Sequence, residues 1–210
     1  MISLQLYLLE LRDGKYYVGQ SSRPEVRFSD HQIGQGGKWT RLYPPQALLK
    51  TKTIQVEDLR EACLYENWLT LHYMEQYGWQ NVRGGEYLDI ENERIAEKIS
   101  HIYDLNTNKI RQYIPDCPYL FGATHHWLVY VLELSDGYYY IGSGKRLGKA
   151  LGDHFNGQTI AFTREHPPLK VAEWQVIKPE NGNYLEFKRS LAEQYRQCYG
   201  KNKVVAGNIS

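Results

Sequence analysis

The chain has 210 residues, with 25 Lys and Arg against 24 Asp and Glu, and 42% of its residues are hydrophobic. This composition is typical of a soluble globular protein with one large domain or two small ones, and the net charge of +1 excludes a uniformly basic nucleic-acid binder. No apolar run approaches the roughly 20 residues that cross a bilayer, and the N-terminus shows no secretory leader, so we expect no membrane partner. Three widely spaced cysteines predict neither a disulfide framework nor a zinc site, which favours an intracellular location.

The first half of the chain predicts a small mixed domain. Residues 3–11 are apolar, and Asp13-Gly14 is a hairpin signal that leads into residues 15–19, so the chain opens with two antiparallel strands. The elements predicted to follow are, in chain order, a helix near residues 23–33, a third strand over residues 46–55 and a long helix over residues 57–76.

The opening hairpin returns later in the chain. The segment from Tyr7 to Gly19 matches the segment from Tyr130 to Gly142 at a displacement of 123 positions, without a gap. We therefore predict an α/β (α+β) protein with two tandem domains, each a three-stranded antiparallel sheet flanked by helices. The predicted boundaries are residues 1–88 for the first domain, residues 89–125 for a linker with one helix near Ile90–Tyr103, and residues 126–210 for the second domain.

Candidate chemistry lies on the helices and the opening strands. Glu66 shares one face of the long helix with apolar residues, namely Leu59, Ala62, Cys63, Leu69 and Tyr73. A carboxylate on a buried face needs a cation, a metal ion or a water-filled cleft, because burying it alone costs several kcal/mol. Arg27 and His31 are four residues apart and share a face of the shorter helix. Tyr7 and Tyr17 lie on the two strands, and Gly19 permits a backbone or ligand to approach closely.

These residues occur in the order of a known family. The chain resembles the GIY-YIG nuclease family in its full motif order, which here reads Leu6-Tyr7-Leu8, Tyr17-Val18-Gly19, Arg27, His31, Glu66 and Asn81. The departures are Leu6 and Val18 in place of isoleucines and Gln5 in place of a glycine, which affect packing more than chemistry. The stretch from Lys38 to Arg41 resembles the repair and recombination branches of the family. Lys38 and Arg41 are expected, together with Gly19, to contact nucleic acid. Gly84-Gly85 is interpreted as a turn only.

The resemblance implies metal-dependent hydrolysis of DNA phosphodiesters by an endonuclease. Glu66 is the expected ligand of Mg²⁺ (or Mn²⁺), since one carboxylate with waters suits a hard cation. Arg27 is the expected clamp on the phosphate, because a guanidinium donates two hydrogen bonds in a fixed fork. Asn81 is expected to orient the region of Glu66.

Three side chains are candidates for the general base. Tyr7 and Tyr17 need a large drop in pKa from about 10, whereas the pKa of His31 is ordinarily close to 6.5. In relatives the tyrosine of the first motif resembles the usual base, so Tyr7 is favoured.

The second copy retains the tyrosines and the histidine but lacks the chemistry. Arg27 aligns with Ala150, Glu66 with Lys188 and Asn81 with Lys203. Residues 126–210 carry 11 basic and 8 acidic groups, against 10 and 10 in residues 1–88, so the second domain is the basic one. We therefore expect a pseudo-nuclease domain that binds the nucleic-acid backbone through Lys149, Lys188 and Lys203.

Two other functions compete with the nuclease prediction. One is a non-catalytic module that binds nucleic acid or protein and only retains the fold. The other is a second domain that serves a homodimer or a protein partner through its tyrosines, which are Tyr138, Tyr139, Tyr140, Tyr184, Tyr195 and Tyr199. The expected partner in the main prediction is DNA, branched or single-stranded forms included.

Overall fold

The structure is a computed structural model that describes residues 1–100, 110–178, 180 and 182–207. It divides into two compact units, Met1–Ile102 and Tyr103–Ser210. Each unit is a mixed α+β structure with a four-stranded sheet flanked by helices, which confirms the predicted fold class. The division into residues 1–88, 89–125 and 126–210 stays a prediction.

The elements of the first unit follow the predicted order with two additions. They are β1 (Ile2–Leu11), β2 (Lys15–Ser21), α1 (Pro24–Gln32), α2 (Lys38–Leu42), β3 (Pro45–Val56), α3 (Leu59–Tyr77), β4 (Val82–Arg83) and α4 (Asn92–Ser100). Helix α4 lies within the predicted linker helix, of which residues 101–103 are outside the described residues. The Arg83 guanidinium donates to the Asn92 side chain at 2.7 Å, so α4 is tied to the sheet of the first unit.

The hairpin of β1 and β2 is the centre of the first sheet, whose strand order is β3-β1-β2-β4. Asp13 and Gly14 both adopt positive φ, at 59° and 65°, which matches the turn predicted from Asp-Gly. Strand β3 is the predicted third antiparallel strand, and it pairs with β1 on the other side of the hairpin.

The fourth strand corrects the predicted three-stranded sheet. Strand β4 pairs in parallel with β2, through Tyr16 with Val82 and Tyr17 with Arg83. A two-residue strand is too short to show an alternating pattern, so the sequence carries no signal for it.

Helix α3 positions the predicted carboxylate. The Asp58 side chain accepts a hydrogen bond from the Glu61 N–H at the helix start, and Gly78, at φ 86°, ends the helix. Glu66 is buried as predicted, with Ala62, Leu69 and Tyr73. The same prediction is wrong for Leu59, which is 63% exposed, and for Cys63. The Cys63 thiol accepts a hydrogen bond from Gln20 Nε2, near the end of β2, at 3.6 Å.

The second unit repeats the topology of the first. Its elements are β5 (Trp127–Leu134), β6 (Tyr139–Gly144), α5 (Leu147–Phe155), α6 (Ala161–Glu165), β7 (Pro168–Ile177), α7 (Tyr184–Tyr199) and β8 (Val204–Ala206). The strand order is β7-β5-β6-β8, with β8 parallel to β6, and the hairpin turn again has positive φ at Asp136 and Gly137. Within the described residues, no helix has the length and apolar character needed to span a membrane.

Candidate active site of the first unit

Tyr7 and Gly19 face each other across the central hairpin. The two residues are paired in the register of β1 and β2, and a Cβ atom at position 19 would overlap the Tyr7 ring. The Tyr17 ring lies beside it, with centroids 6.3 Å apart. Gly19 is buried, and the close approach that a glycine permits is used by the Tyr7 ring. This packing corrects the predicted contact between Gly19 and nucleic acid.

His31 on α1 contacts β1 and α2 through its two ring nitrogens. Its Nε2 lies 3.2 Å from the Tyr7 hydroxyl, and its Nδ1 lies 2.9 Å from Thr40 Oγ1 on α2. Thr40 donates its hydroxyl proton to the Gly37 carbonyl at 3.1 Å, so it accepts from His31 Nδ1. A neutral His31 therefore carries its proton on Nδ1 and accepts the Tyr7 proton at Nε2.

Gly36 is a residue of this network that the sequence analysis missed. A Cβ atom at position 36 would collide with His31 Nδ1 and Thr40 Oγ1. Only glycine leaves room for that hydrogen bond where the chain passes over it. The GlnGlyGly stretch over residues 35–37 signals a loop, but nothing in it identifies the side chain that the loop must clear.

The histidine is held in its neutral form. Burial lowers the pKa of His31 to about 4, the positive charge of Arg27 lowers it further, and Asp30 opposes the shift. His31 is 1% exposed, so loss of hydration dominates.

This pKa predicts a loss of stability in mild acid. Between pH 6.5 and 4 the unfolded chain protonates His31 and the folded chain does not, so the free energy of unfolding falls as the pH drops through that window, by up to about 3 kcal/mol. We expect His31→Asn to reduce the pH dependence of the melting temperature in this range. His72→Asn, on the exposed face of α3, is the control because it removes an imidazole that is not buried. Equal pH dependence in both variants would contradict the prediction.

Arg27 lies one helical turn before His31 and faces the same cluster. Its guanidinium pairs with Asp30 at 3.4 Å, and its side chain is 41% exposed. Burial raises the pKa of Tyr7 above its ordinary value, and the charge of the nearby Arg27 opposes that rise. Burial likewise raises the pKa of Tyr17 to about 12, the charge of Glu66 raises it further, and Arg27 acts in the opposite direction. Arg27 is thus a partly exposed cation within electrostatic range of both tyrosines.

Glu66 reaches the same cluster from α3. It is 8% exposed, and its Oε1 accepts the Gly85 N–H at 3.2 Å. Burial raises the pKa of Glu66, while hydrogen bonds from Gly85 and from the Gln20 side chain oppose the rise. No Lys or Arg forms an ion pair with Glu66 among the described residues. The carboxylate is therefore held by two neutral donors and lacks a countercharge.

The Gly84-Gly85 segment, which was predicted to be a turn only, also forms hydrogen bonds to helix α3. Gly85 has φ of 50° and directs its N–H toward Glu66, and Glu86 N donates to Asn67 Oδ1 at 2.8 Å. A Cβ atom at position 85 would overlap the Asn67 side chain. The turn therefore fits against α3 and fixes the Glu66 carboxylate.

Asn81 lies elsewhere, which corrects its predicted role. Its Nδ2 donates to the Tyr77 carbonyl at 2.9 Å, and its Oδ1 accepts from Lys15 Nζ at 2.8 Å. Tyr77 is three helical turns from Glu66, about 16 Å along the axis of α3. Asn81 therefore fastens the C-terminal end of the helix, and Gly85 and Gln20 hold Glu66.

Helix α2 presents its basic residues to solvent. Trp39 and Thr40 are buried, whereas Lys38 and Arg41 are exposed on the outer side. This arrangement leaves both cations accessible to a ligand, and nucleic-acid binding by them stays a prediction.

The residues around Glu66 fit the cation that the resemblance implies. Gln20 Oε1 is buried and has no hydrogen-bond partner among the described residues, while the amide nitrogen donates toward Glu66 and toward Cys63. The Glu66 carboxylate and the unsatisfied Gln20 amide oxygen together offer only oxygen ligands, which suit a hard divalent cation. Gln20 is a site residue that the sequence motifs did not single out.

The second unit has the same tyrosine and histidine network without the carboxylate. Tyr130 and His154 Nε2 are 3.2 Å apart, and His154 Nδ1 lies 3.1 Å from Thr163 Oγ1. Thr159, the counterpart of Gly36, adds a hydroxyl 3.0 Å from the same nitrogen. The hydrogen bond between tyrosine and histidine is therefore part of the fold in both units, and Arg27 and Glu66 distinguish the first.

The three lysines predicted to contact nucleic acid differ in their surroundings. Lys149 is exposed and pairs with Asp153 at 2.6 Å, and Lys203 donates to the Asp136 carbonyl at 2.8 Å. Lys188 is 3% exposed and donates to Ser143 and Gly207, so it is a buried side chain, and its predicted contact with the nucleic-acid backbone stays a prediction.

Three of the six tyrosines proposed as a partner surface pack against one another. Tyr139 contacts Tyr195 and Tyr199, with ring centroids 5.2 Å and 4.2 Å apart. Tyr199, at 51%, is the most exposed of this group. A partner surface built on these tyrosines stays a prediction.

Comparison with known proteins gives a family. A UPF0213 protein of Enterococcus faecalis is 35% identical over 74 residues, which are 34% of this chain and 84% of that protein. The chain belongs to the UPF0213 family. UPF0213 proteins of Streptococcus pneumoniae and Xanthomonas axonopodis pv. citri are 41% and 46% identical over 44 residues, and the chain spans less than half of each. Members of this family are GIY-YIG-like, in agreement with the motif order in the first unit.

Other comparisons add no further relationship. No family model matches the chain, and no solved structure matches it. The family relationship rests on about a third of the chain, so it fixes the kind of fold and leaves the activity to be argued from the site.

Proposed function

We propose that the first unit is a metal-dependent endonuclease that hydrolyses DNA phosphodiester bonds. The observation that carries the proposal is a buried carboxylate, Glu66, with no cationic partner among the described residues, in the same cluster as Arg27, His31 and two tyrosines. A structural ion pair would supply a countercharge, whereas a cation site needs the carboxylate unpaired. The GIY-YIG-like character of the family supports the same reaction class.

Arg27 is the proposed phosphate clamp. Its guanidinium is partly exposed and pairs with Asp30 through a single nitrogen, Nη1, so it has further donors for a phosphate. In this role it binds a nonbridging oxygen and offsets negative charge that grows on the phosphate as the bond to the leaving oxygen breaks.

Glu66 and Gln20 are the proposed cation ligands, with water completing the shell. When bound, a divalent cation there supplies positive charge to the nonbridging and leaving oxygens of the phosphodiester. The Gly85 N–H and the buried surroundings keep the carboxylate in place for this role.

Tyr7 is the proposed general base, acting together with His31. Its hydroxyl donates to the neutral His31 Nε2, so Tyr7 Oη accepts a proton from the attacking water as its own proton passes to His31. The oxygen of that water then bonds to phosphorus, the bond to the leaving oxygen breaks, and the leaving oxygen takes a proton from solvent. In this relay Tyr7 takes the proton of the water as it gives up its own, so it does not have to become a tyrosinate, the form that burial disfavours.

The second unit is proposed as a pseudo-nuclease that assists nucleic-acid binding. It has Ala150 and Lys188 where the first unit has Arg27 and Glu66, so it lacks both the clamp and the carboxylate. Its excess of three basic groups favours binding to phosphates, because each neutralised phosphate releases counterions. The exposed Lys149 is the clearest surface contact.

Cleavage is expected to depend on a divalent cation. We expect the purified chain to convert supercoiled DNA to nicked or linear forms with Mg²⁺ or Mn²⁺ and to stop in excess EDTA, because no Lys or Arg within the described ranges forms an ion pair with Glu66. Parallel reactions with linear, single-stranded and branched DNA identify the preferred form. Undiminished cleavage in EDTA would exclude the proposed chemistry. Binding of DNA without cleavage of any of the four forms would favour the alternative of a non-catalytic binding module.

A further inference from the structure

The second unit contains a pocket at the place that corresponds to Glu66 in the first. The pocket has a volume of about 320 Å³, within the range of small-ligand sites. Three of its lining residues, Lys188, Ser143 and Gly207, align with Glu66, Gln20 and Gly85. The positions that hold the carboxylate in the first unit therefore form, in the second unit, the wall of a pocket that contains the Lys188 ammonium.

The hydrogen bonds of this group have reversed direction. In the first unit the Gly85 N–H donates to the Glu66 carboxylate, and in the second Lys188 Nζ donates to the Gly207 carbonyl and to Ser143 Oγ. An ammonium has three donors, so one is left after these two bonds. Lys188 pairs with no carboxylate among the described residues, and burial lowers the pKa of its ammonium. An anion in the pocket would supply both the missing acceptor and the countercharge.

The other walls complement an anion that carries a planar group. The Tyr140 hydroxyl makes no hydrogen bond with the described residues and lines the same pocket. Trp127 and Tyr184 also line it and stack on each other, with centroids 3.9 Å apart and planes at 9°. Lys145 lies over the Trp127 ring at 5.5 Å and adds a second positive charge nearby.

We propose that this pocket binds the phosphate of a nucleotide, with Lys188, Ser143 and Tyr140 on the phosphate and the Trp127–Tyr184 pair against the ring of the base. This site lies wholly in the second unit, and its test involves no DNA cleavage. The proposal is therefore independent of the proposed nuclease activity.

The test is a calorimetric titration of the full chain without divalent cation, using inorganic phosphate, adenosine 5′-monophosphate and adenosine as probes. We expect the monophosphate to bind most tightly, phosphate alone more weakly, and adenosine at least about tenfold more weakly than the monophosphate, because it cannot reach Lys188 with a charge. Adenosine binding as tightly as the monophosphate would overturn the proposal, as would no heat from either phosphate probe at millimolar concentration.

Two lysine variants assign the binding to the pocket. Lys188→Met keeps most of the side-chain volume without the charge and should weaken monophosphate binding at least about tenfold. Lys201→Met removes an exposed charge of the same unit that neither lines the pocket nor belongs to the proposed nucleic-acid contacts, and it is the matched control. Equal affinity in the two variants would overturn the proposal. If Lys188→Met does not fold, Tyr140→Phe and Ser143→Ala serve in its place, and unchanged affinity in both would again overturn it.

Discussion

The expected result of Glu66→Gln is a loss of DNA cleavage by at least about a hundredfold, because the variant removes the charged ligand from the proposed cation site. The variant keeps an oxygen that accepts the Gly85 N–H, so the turn and α3 should remain in place. The rate is measured on the DNA form that the wild-type chain cleaves fastest. DNA binding, measured without divalent cation, is expected to change little.

Glu75→Gln on the exposed face of the same helix is the control for Glu66→Gln. It removes one negative charge without touching the site and should cleave like the wild type. The Glu66 variant is also expected to melt at the same temperature or higher, since a buried, unpaired carboxylate costs stability that function retains. Wild-type cleavage by Glu66→Gln would remove this residue from the mechanism.

Tyr7→Phe is expected to reduce the cleavage rate by roughly a hundredfold to ten-thousandfold, the range typical of a lost general base. The change removes a single hydroxyl and leaves the ring packed on Gly19. The measurement is the single-turnover rate at saturating DNA, so that a change in affinity does not enter.

The second unit provides the matched control for Tyr7→Phe. Tyr130→Phe breaks a hydrogen bond to His154 of the same 3.2 Å length and similar burial, so it removes a similar amount of stability. It should leave cleavage unchanged. An active Tyr7→Phe together with an inactive Tyr17→Phe or His31→Ala would move the base to one of those residues. Equal losses in Tyr7→Phe and Tyr130→Phe would indicate an effect on folding instead.

Much of the fold was predictable because its signals are local. Asp13-Gly14 specifies a hairpin turn, the apolar pattern marks β1 and β3, and Gly78 ends α3. The displacement of 123 positions predicted the repeated unit, which both sheets confirm through their identical strand orders. Strand β4 was missed because two residues show no period.

The partners of the site residues were harder to predict because they depend on pairings across the sheet. Asn81 follows α3 closely in the chain, yet the helix carries it about 16 Å from Glu66. Gln20 and Gly85 reach Glu66 because β2 and the turn after β4 pack against the middle of the helix. The burial of Lys188 was not predicted, because lysine is rarely buried and the two acceptors that hold it, Ser143 and Gly207, are distant in the chain.

The reversed hydrogen bonds around Lys188 also determine whether the second unit could accommodate a carboxylate at this position. The Gly207 N–H is already bonded to the Ile141 carbonyl at 3.0 Å, so only its carbonyl oxygen faces position 188. A glutamate introduced there alone would meet that oxygen and the short side chain of Ser143, and would find neither the N–H nor the amide that hold Glu66. The substitutions at these positions are therefore epistatic. A single Lys188→Glu substitution is unfavourable, and a carboxylate at this position also requires the backbone after β8 to turn and the neighbouring side chains to change.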